Sequence, residues 1–346
     1  MRLLDLIVQG RCAPVRSNDG CHLPGAEGFR SVIQQCPLRY VLSDELVRCA
    51  TQLAYAEGDR LSGCLDLIHV PAQEVWVEWT EPPRLEALQG IPSLAVAIKR
   101  RAKRAGVFVR TARSCRSGTI RTFWSTQAEQ VFLSPMITLF DLDESVRAPS
   151  RPAASDWRGN LCLWMQEEPA IDEILGHLQF RLDDQWAQYY QERCFDPALK
   201  DQVVRANLGH CAFDAPMILA FSLLLGARDL LPRHAIDHQR LNLARHKAGK
   251  RPLLEHIEVT VPIERRPLPT EAPTGSPARV SPRLHHVRGH LVRRDSTVFW
   301  RSPHLRGSGR LGQIRTRTVE ISYRGVPQRA PPSQLAESTA VYRGAT

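Results

Sequence analysis

The densest concentration of chemistry-bearing side chains is Arg283-Leu284-His285-His286-Val287-Arg288-Gly289-His290. Arg293, Arg294, Trp300, Arg301, His304 and Arg306 follow closely. Guanidinium groups present planar forks of donors that match phosphate oxygens, and their faces stack on bases. Phe299 and Trp300 add flat surfaces beside those charges, an interleaving suited to single-stranded or structured RNA. Gly289 permits a tight backbone turn, while His286, His290 and Trp300 would shape the cluster. The same composition also suits a short basic module that docks on an acidic part of its own chain or on a protein partner.

Two metal readings compete with this one. His286 and His290 are four apart, which would place them on one face of a helix. Gly289 and the β-branched neighbours oppose a helix there, and neutral imidazoles among arginines make a poor cation site. Asp141, Asp143 and Glu144 cluster at the end of a strand candidate, with Asp66 as a further carboxylate, a composition shared with two-metal nucleases. Strand ends also shed acids into turns, and no lysine or histidine stands in a nuclease-like spacing. A metal-dependent nuclease using Asp141 and Asp143 therefore stands as an alternative, and the main expectation is a binding protein with no metal and no cofactor. Gly307, Gly309 and Gly312 lack the following helix of a phosphate-binding loop. His234, His238 and His246 fall in a basic segment that reads as a helix, where His234 and His238 share a face.

The elements that would position these residues follow from periodicity. Ser43 caps a helix with Leu46, Val47, Ala50, Leu53 and Ala54 on one face. Leu65 to Val70 and Glu74 to Trp79 read as strands around a turn at Pro71, with Val75 and Val77 alternating with Trp76 and Glu78. Ser93 to Ala105 reads as a helix whose last turns carry Lys99, Arg100, Arg101, Lys103 and Arg104, either a solvated face or a nucleic-acid patch. Val107 to Ala112, Thr119 to Trp124 and Val131 to Leu142 read as an antiparallel meander. Ile171, Ile174, Leu175, Leu178, Leu182 and Trp186 mark an amphipathic helix. An apolar helix over Ala215 to Leu231 stops at Pro232, His234 to Lys247 reads as a basic helix, and Glu255 to Ile263 as a strand. Beyond the linker described below, Thr297 to Trp300 and Ile314 to Ser322 read as further strand pieces.

Bulk composition sets the frame. The 346 residues carry a net charge of +10, unevenly placed. From Arg233 onward 21 Lys and Arg face only 8 Asp and Glu, whereas the preceding residues have a small acidic excess. Such asymmetry points to a nucleic-acid or acidic partner for one end of the molecule. The longest apolar run, Ala215 to Ala227, has 13 residues, short of the roughly 20 that cross a bilayer. The opening Met1 to Gly10 stretch is interrupted by Asp5 and does not read as a secretory leader. Nine scattered cysteines without a Cys-x-x-Cys pair fit reduced thiols. The expectation is a cytoplasmic protein with no membrane partner.

The segment Leu241-Asn242-Leu243-Ala244-Arg245-His246-Lys247-Ala248-Gly249-Lys250-Arg251-Pro252-Leu253 is similar to one in phage and prophage proteins, where it precedes a proline-rich stretch. Here six of the 21 residues from Pro262 to Pro282 are proline. Next comes His286-Val287-Arg288-Gly289-His290, then Trp300, then Arg301-Ser302-Pro303-His304-Leu305-Arg306-Gly307. This module resembles the C-terminal part of the type V-A anti-CRISPR proteins that suppress production of the type V Cas effector nuclease. The similarity spans Leu231 to Arg324, and Leu291 stands where that family has tryptophan. The resemblance implies recognition of a nascent CRISPR effector polypeptide, loss of its message, and a host–virus role.

The expected fold class is α+β, an antiparallel sheet packed with helices plus a small basic β-rich C-terminal module. The expected organisation is an N-terminal helical segment (1–60), an antiparallel-sheet region (61–165), a helical region (166–261), a proline-rich linker (262–282) and the basic Arg/His-rich module (283–346). The expected partners are a protein target and RNA or a ribosome-associated complex. Arg283, Arg288, Arg293, Arg294, Arg301 and Arg306 make the contacts. A generic nucleic-acid-binding regulatory phage protein is the other alternative.

Overall fold

A computed structural model describes residues 1–14, 23–56, 58–89, 102–143, 174–193, 211, 214–227 and 230–261. In the C-terminal part it describes 283–287, 290–294, 297–301, 304–306 and 308–313. The fold is α+β, built on a mixed sheet of eight strands. In chain order the strands are β1 (Leu38–Leu42), β2 (Glu74–Thr80), β3 (Arg104–Thr111), β4 (Ser117–Ser125), β5 (Val131–Asp141), β6 (Leu178–Leu182), β7 (Arg233–Ile236) and β8 (His256–Val259). Across the sheet they run β6-β5-β4-β3-β2-β1-β8-β7. The joints from β2 to β6 are antiparallel, as is β7 to β8, whereas β1 pairs parallel with both β2 and β8.

Both faces of the sheet are covered, and period-two alternation decides which residue goes where. Val75, Val77 and Trp79 of β2 point into the larger core, with α3 (Asp44–Tyr55) and the apolar helix at 214–226. Trp76 points into a second core with α1 (Leu3–Val8) and Ile33 of α2 (Arg30–Gln35). There Phe29, Trp76 and Phe123 pack as tilted and edge-to-face rings 5.3 Å apart, the arrangement that ring quadrupoles favour. The Ser43 hydroxyl accepts from the Leu46 amide at 3.3 Å, the N-cap that the sequence predicts. The strands of the meander also form as predicted.

Four segments differ from their sequence pattern, each for a tertiary reason. Ser93 to Ala105 was expected to be a helix. Residues 93–101 lie outside the described set, but Arg104 and Ala105 begin β3, bonded between Thr80 and Trp79 on one side and Ser125 and Trp124 on the other. Lys103 and Arg104 pair with Glu129 and Glu78, so neither heads a solvated cationic face. Leu65 to Val70 is a 3-10 turn and loop instead of a strand. The Arg116 guanidinium takes the carbonyls of Leu65, Asp66 and Ile68 at 3.0–3.2 Å, satisfying backbone that a neighbouring strand would otherwise satisfy.

In the span expected to be one amphipathic helix from Ile171 to Trp186, Leu178–Leu182 is β6, and a helix, α4 (Asp184–Arg193), follows it. Leu178 and Phe180 are buried and Gln179 and Arg181 exposed, so the period is two over the strand, while Ile174 and Leu175 before it and Trp186 after it are helical as expected. His234 to Lys247 likewise splits. His234 lies in β7 opposite Glu258, and the helix begins only at Gln239, after Asp237 Oδ1 accepts the Gln239 amide at 2.7 Å. His234 and His238 therefore do not share a helical face. The linker 262–282 and the strand piece Ile314 to Ser322 lie outside the described residues. Among the described residues, no helix is long and apolar enough to cross a membrane.

Candidate functional site

The C-terminal arginines are carried by short strands. These are β9 (Arg283–Val287), β10 (His290–Arg294), β11 (Thr297–Arg301), β12 (His304–Arg306) and β13 (Ser308–Gln313). β10 and β11 form an antiparallel pair, while β12, β9 and β13 form a separate sheet. Compactness divides the chain into two units. One comprises Met1–Pro267 with Arg288–His304, and the other Leu268–Val287 with Leu305–Thr346. The β10–β11 pair belongs to the first unit. Within the second, Arg283 opens β9 opposite Ser308 of β13, with His286 further along the same strand. His304 and Arg306 bound β12. Arg288 and Gly289 lie outside the described residues.

In the β10–β11 pair His290 stands opposite Arg301, Leu291 opposite Trp300, Val292 opposite Phe299, and Arg294 opposite Thr297. Alternation along a strand sends Arg293 to one face and Val292, Arg294 and Phe299 to the other. Arg293 is committed to the body. Its terminal nitrogens reach Asp66 Oδ1 at 3.1 Å and Oδ2 at 3.0 Å, a two-pronged ion pair, and it also donates to the Gly63 carbonyl. Arg294 and Phe299 are exposed. The hairpin thus uses one arginine to dock and leaves a cation and an aromatic ring facing outward. Burial pushes the neighbouring Cys64 thiol up, and the Arg293 charge partly counters this.

The carboxylates of the nuclease alternative have other partners. Asp141 Oδ1 accepts the Asp143 amide at 3.0 Å in a tight turn, and Asp143 pairs with Arg116 at 2.6 Å. Asp66 holds Arg293. Among the described residues no group of three or more His, Cys, Asp and Glu is placed to hold a metal ion.

Sequence reasoning passed over a second constellation. Glu78 of β2 is fully buried and accepts from the Leu3 amide at 3.1 Å, the Leu4 amide at 2.8 Å and Trp76 Nε1 at 3.1 Å. Arg104 pairs with the same carboxylate at 2.9 Å. In front of this network lies an open pocket of about 600 Å3, lined by Arg2, Arg104, Arg245, Leu42, Leu253 and Glu258 among others. Arg2 and Glu258 pair at 2.7 Å. Asp5 lies deep in the wall and accepts from the Leu254 amide at 3.1 Å. Burial raises its carboxyl above the usual range, with that amide pulling the other way. Burial lowers the neighbouring His256 imidazole, whose ring lies 5.4 Å from His238. The one sequence signal for this site was an acid inside the otherwise apolar Leu3-Leu4-Asp5-Leu6-Ile7 run.

Arg245 and Leu253 belong to the segment Leu241 to Leu253. Its helix, α5 (Gln239–Lys247), has no buried residue and is held by side-chain clamps. Asn242 donates to the Leu253 carbonyl and accepts from its amide, at 2.9 and 2.8 Å, and Arg245 Nε donates to the Arg251 carbonyl at 2.8 Å. Arg251 in turn donates to the Val8 carbonyl at 2.8 Å. Comparison with protein-family models, with curated proteins and with solved structures finds no match.

Proposed function

We propose that this chain is a phage-type binding protein. In this reading its arginine-rich strands contact RNA or a ribosome-associated complex while the sheet body binds a polypeptide partner. By the resemblance of Leu231 to Arg324, the outcome is lowered production of a type V CRISPR effector nuclease. The observation that carries the RNA contact is the β10–β11 pair, which leaves Arg294 and Phe299 exposed on the face away from its anchor. An arginine beside an aromatic ring offers a phosphate fork and a stacking surface together. The excess of 21 Lys and Arg over 8 Asp and Glu from Arg233 onward supports the same partner.

Co-expression with a type V-A nuclease tests the reading. The nuclease transcript and protein should fall together while an unrelated message stays constant. Unchanged levels, with retained RNA binding in vitro, would leave a generic nucleic-acid-binding regulator as the better account. The metal-dependent nuclease has weaker support, because Asp141 and Asp143 serve a turn and an ion pair. Divalent-dependent cleavage lost in Asp141→Ala would revive it.

A further inference from the structure

We propose that the open pocket between α5 and the sheet is a polypeptide-binding site that takes an acidic side chain flanked by apolar ones. The proposal rests on the reading that the body binds a polypeptide, and it assigns the place and the preference. Thr80 at the end of β2, Leu42 at the end of β1 and Glu258 near the end of β8 all line the pocket. These three strands run parallel, so their carboxyl ends open on one side, where sheets of this kind form ligand crevices.

The charges around the pocket select the ligand. Arg2 is matched by Glu258 at 2.7 Å, and Arg104 by Glu78 at 2.9 Å. Arg245 uses only Nε, on the Arg251 carbonyl, and makes no ion pair with the described residues. Its terminal nitrogens form a fork that a carboxylate fills with two parallel hydrogen bonds. A nucleic-acid backbone carries a negative charge on every successive phosphate and would bring several close to Asp5, Glu78 and Glu258, whereas an acidic side chain flanked by apolar ones brings a single charge. That difference favours an acidic peptide over a nucleic-acid backbone at this place. Val41, Leu42 and Leu253 supply the apolar wall, and about 600 Å3 is room for a few side chains. The mouth is open, so a chain can enter and leave without being enclosed.

The test is fluorescence anisotropy of the full chain with an end-blocked peptide of alternating glutamate and leucine, and with the same peptide carrying lysine for glutamate. The glutamate peptide should bind saturably and the lysine peptide should not. Arg245→Glu should weaken the glutamate peptide by about tenfold or more and admit the lysine peptide. Arg245→Gln, which keeps a side-chain N–H for the Arg251 carbonyl, should weaken the glutamate peptide without the swap, and it serves if the reversal fails to fold. Absent binding, equal binding of both peptides, or glutamate-peptide binding that Arg245→Gln leaves intact would each overturn the site. Glutamate-peptide binding through Arg245 in a protein that leaves nuclease levels untouched would keep the site and sink the functional reading. Nuclease suppression equally strong in wild type and Arg245→Gln would do the reverse.

Discussion

Arg84 is almost fully buried, with Glu81 Oε1 at 2.5 Å and Asp214 bonded to its other terminal nitrogen. Its guanidinium also lies 5.4 Å from the Trp79 ring centroid, and Trp79 Nε1 donates to Glu81 at 2.7 Å. Burial opposes the Arg84 charge, and the two carboxylates outweigh it and hold the proton on. Removing the guanidinium would leave two buried carboxylates without a counter-charge, so Arg84→Ala should cost about 3–5 kcal/mol in a denaturant melt. Replacing the whole cluster with apolar residues should cost far less, because the charges must be desolvated in the first place. His256 gives a pH signature. Burial lowers its pKa from the ordinary 6.5, so the unfolded chain binds the proton more readily. The stability it confers is full above 6.5 and is lost as pH falls from there through the folded value. Thermal midpoints should drop over that window in the wild type and drop less in His256→Phe. Asp5 works in the opposite sense, its raised carboxyl costing stability as pH rises, so the variant at His256 is needed to separate the two. Ser43 was legible because a cap reads out a local pattern. The Arg84 partners were not, since Asp214 is 130 residues away.

At the scale of elements, strands β2 to β5 follow their alternation, and the Ser117-Gly118 start of β4 shows what the turn demands. A side-chain carbon on Gly118 would overlap the Arg110 carbonyl oxygen and the Thr111 Cα. These are backbone atoms that cannot swing away, so Gly118→Ala should cost about 1–3 kcal/mol in a denaturant melt. Ser43→Ala should cost roughly 1 kcal/mol in the same measurement, through the lost cap. The patterns that misled were those in which both periods fit. Leu175, Leu178 and Leu182 are spaced for a helix, while Leu178, Phe180 and Leu182 alternate as a strand, and pairing with β5 from Met136 to Phe140 settles the matter. Local propensity cannot see an open strand edge waiting for a partner. The short β8 lies within the Glu255 to Ile263 span that reads as a strand, whereas β7 overlaps the span that reads as a helix, and the place of β8 comes from the parallel joint with β1, formed across more than 200 residues of chain.

At the scale of the whole molecule, the acidic excess of the earlier residues and the cationic excess after Arg233 meet at Asp66 and Arg293. Side chains 59% and 41% exposed make this a weak latch, worth about 0–1 kcal/mol and screened by salt. Asp66→Asn should therefore change RNA affinity little, or raise it slightly by freeing Arg293. Arg294→Ala with Phe299→Ala should weaken RNA binding and flatten its salt dependence, measured by filter binding across a salt series. An unchanged affinity in that double variant would remove the hairpin from RNA contact. Sequence alone determined the α+β class, the capped helix, the meander and the charge asymmetry, because each follows from periodicity or composition read over a few neighbouring residues. It also marked Arg293 and Arg294 together as one basic run. Only the tertiary structure separated them, binding Arg293 to Asp66 and leaving Arg294 outside. It likewise brought Arg2, Arg104, Arg245 and Glu258 around one pocket. Those placements depend on strand order and register, which are set by pairings between residues far apart in the chain and leave no mark in local sequence.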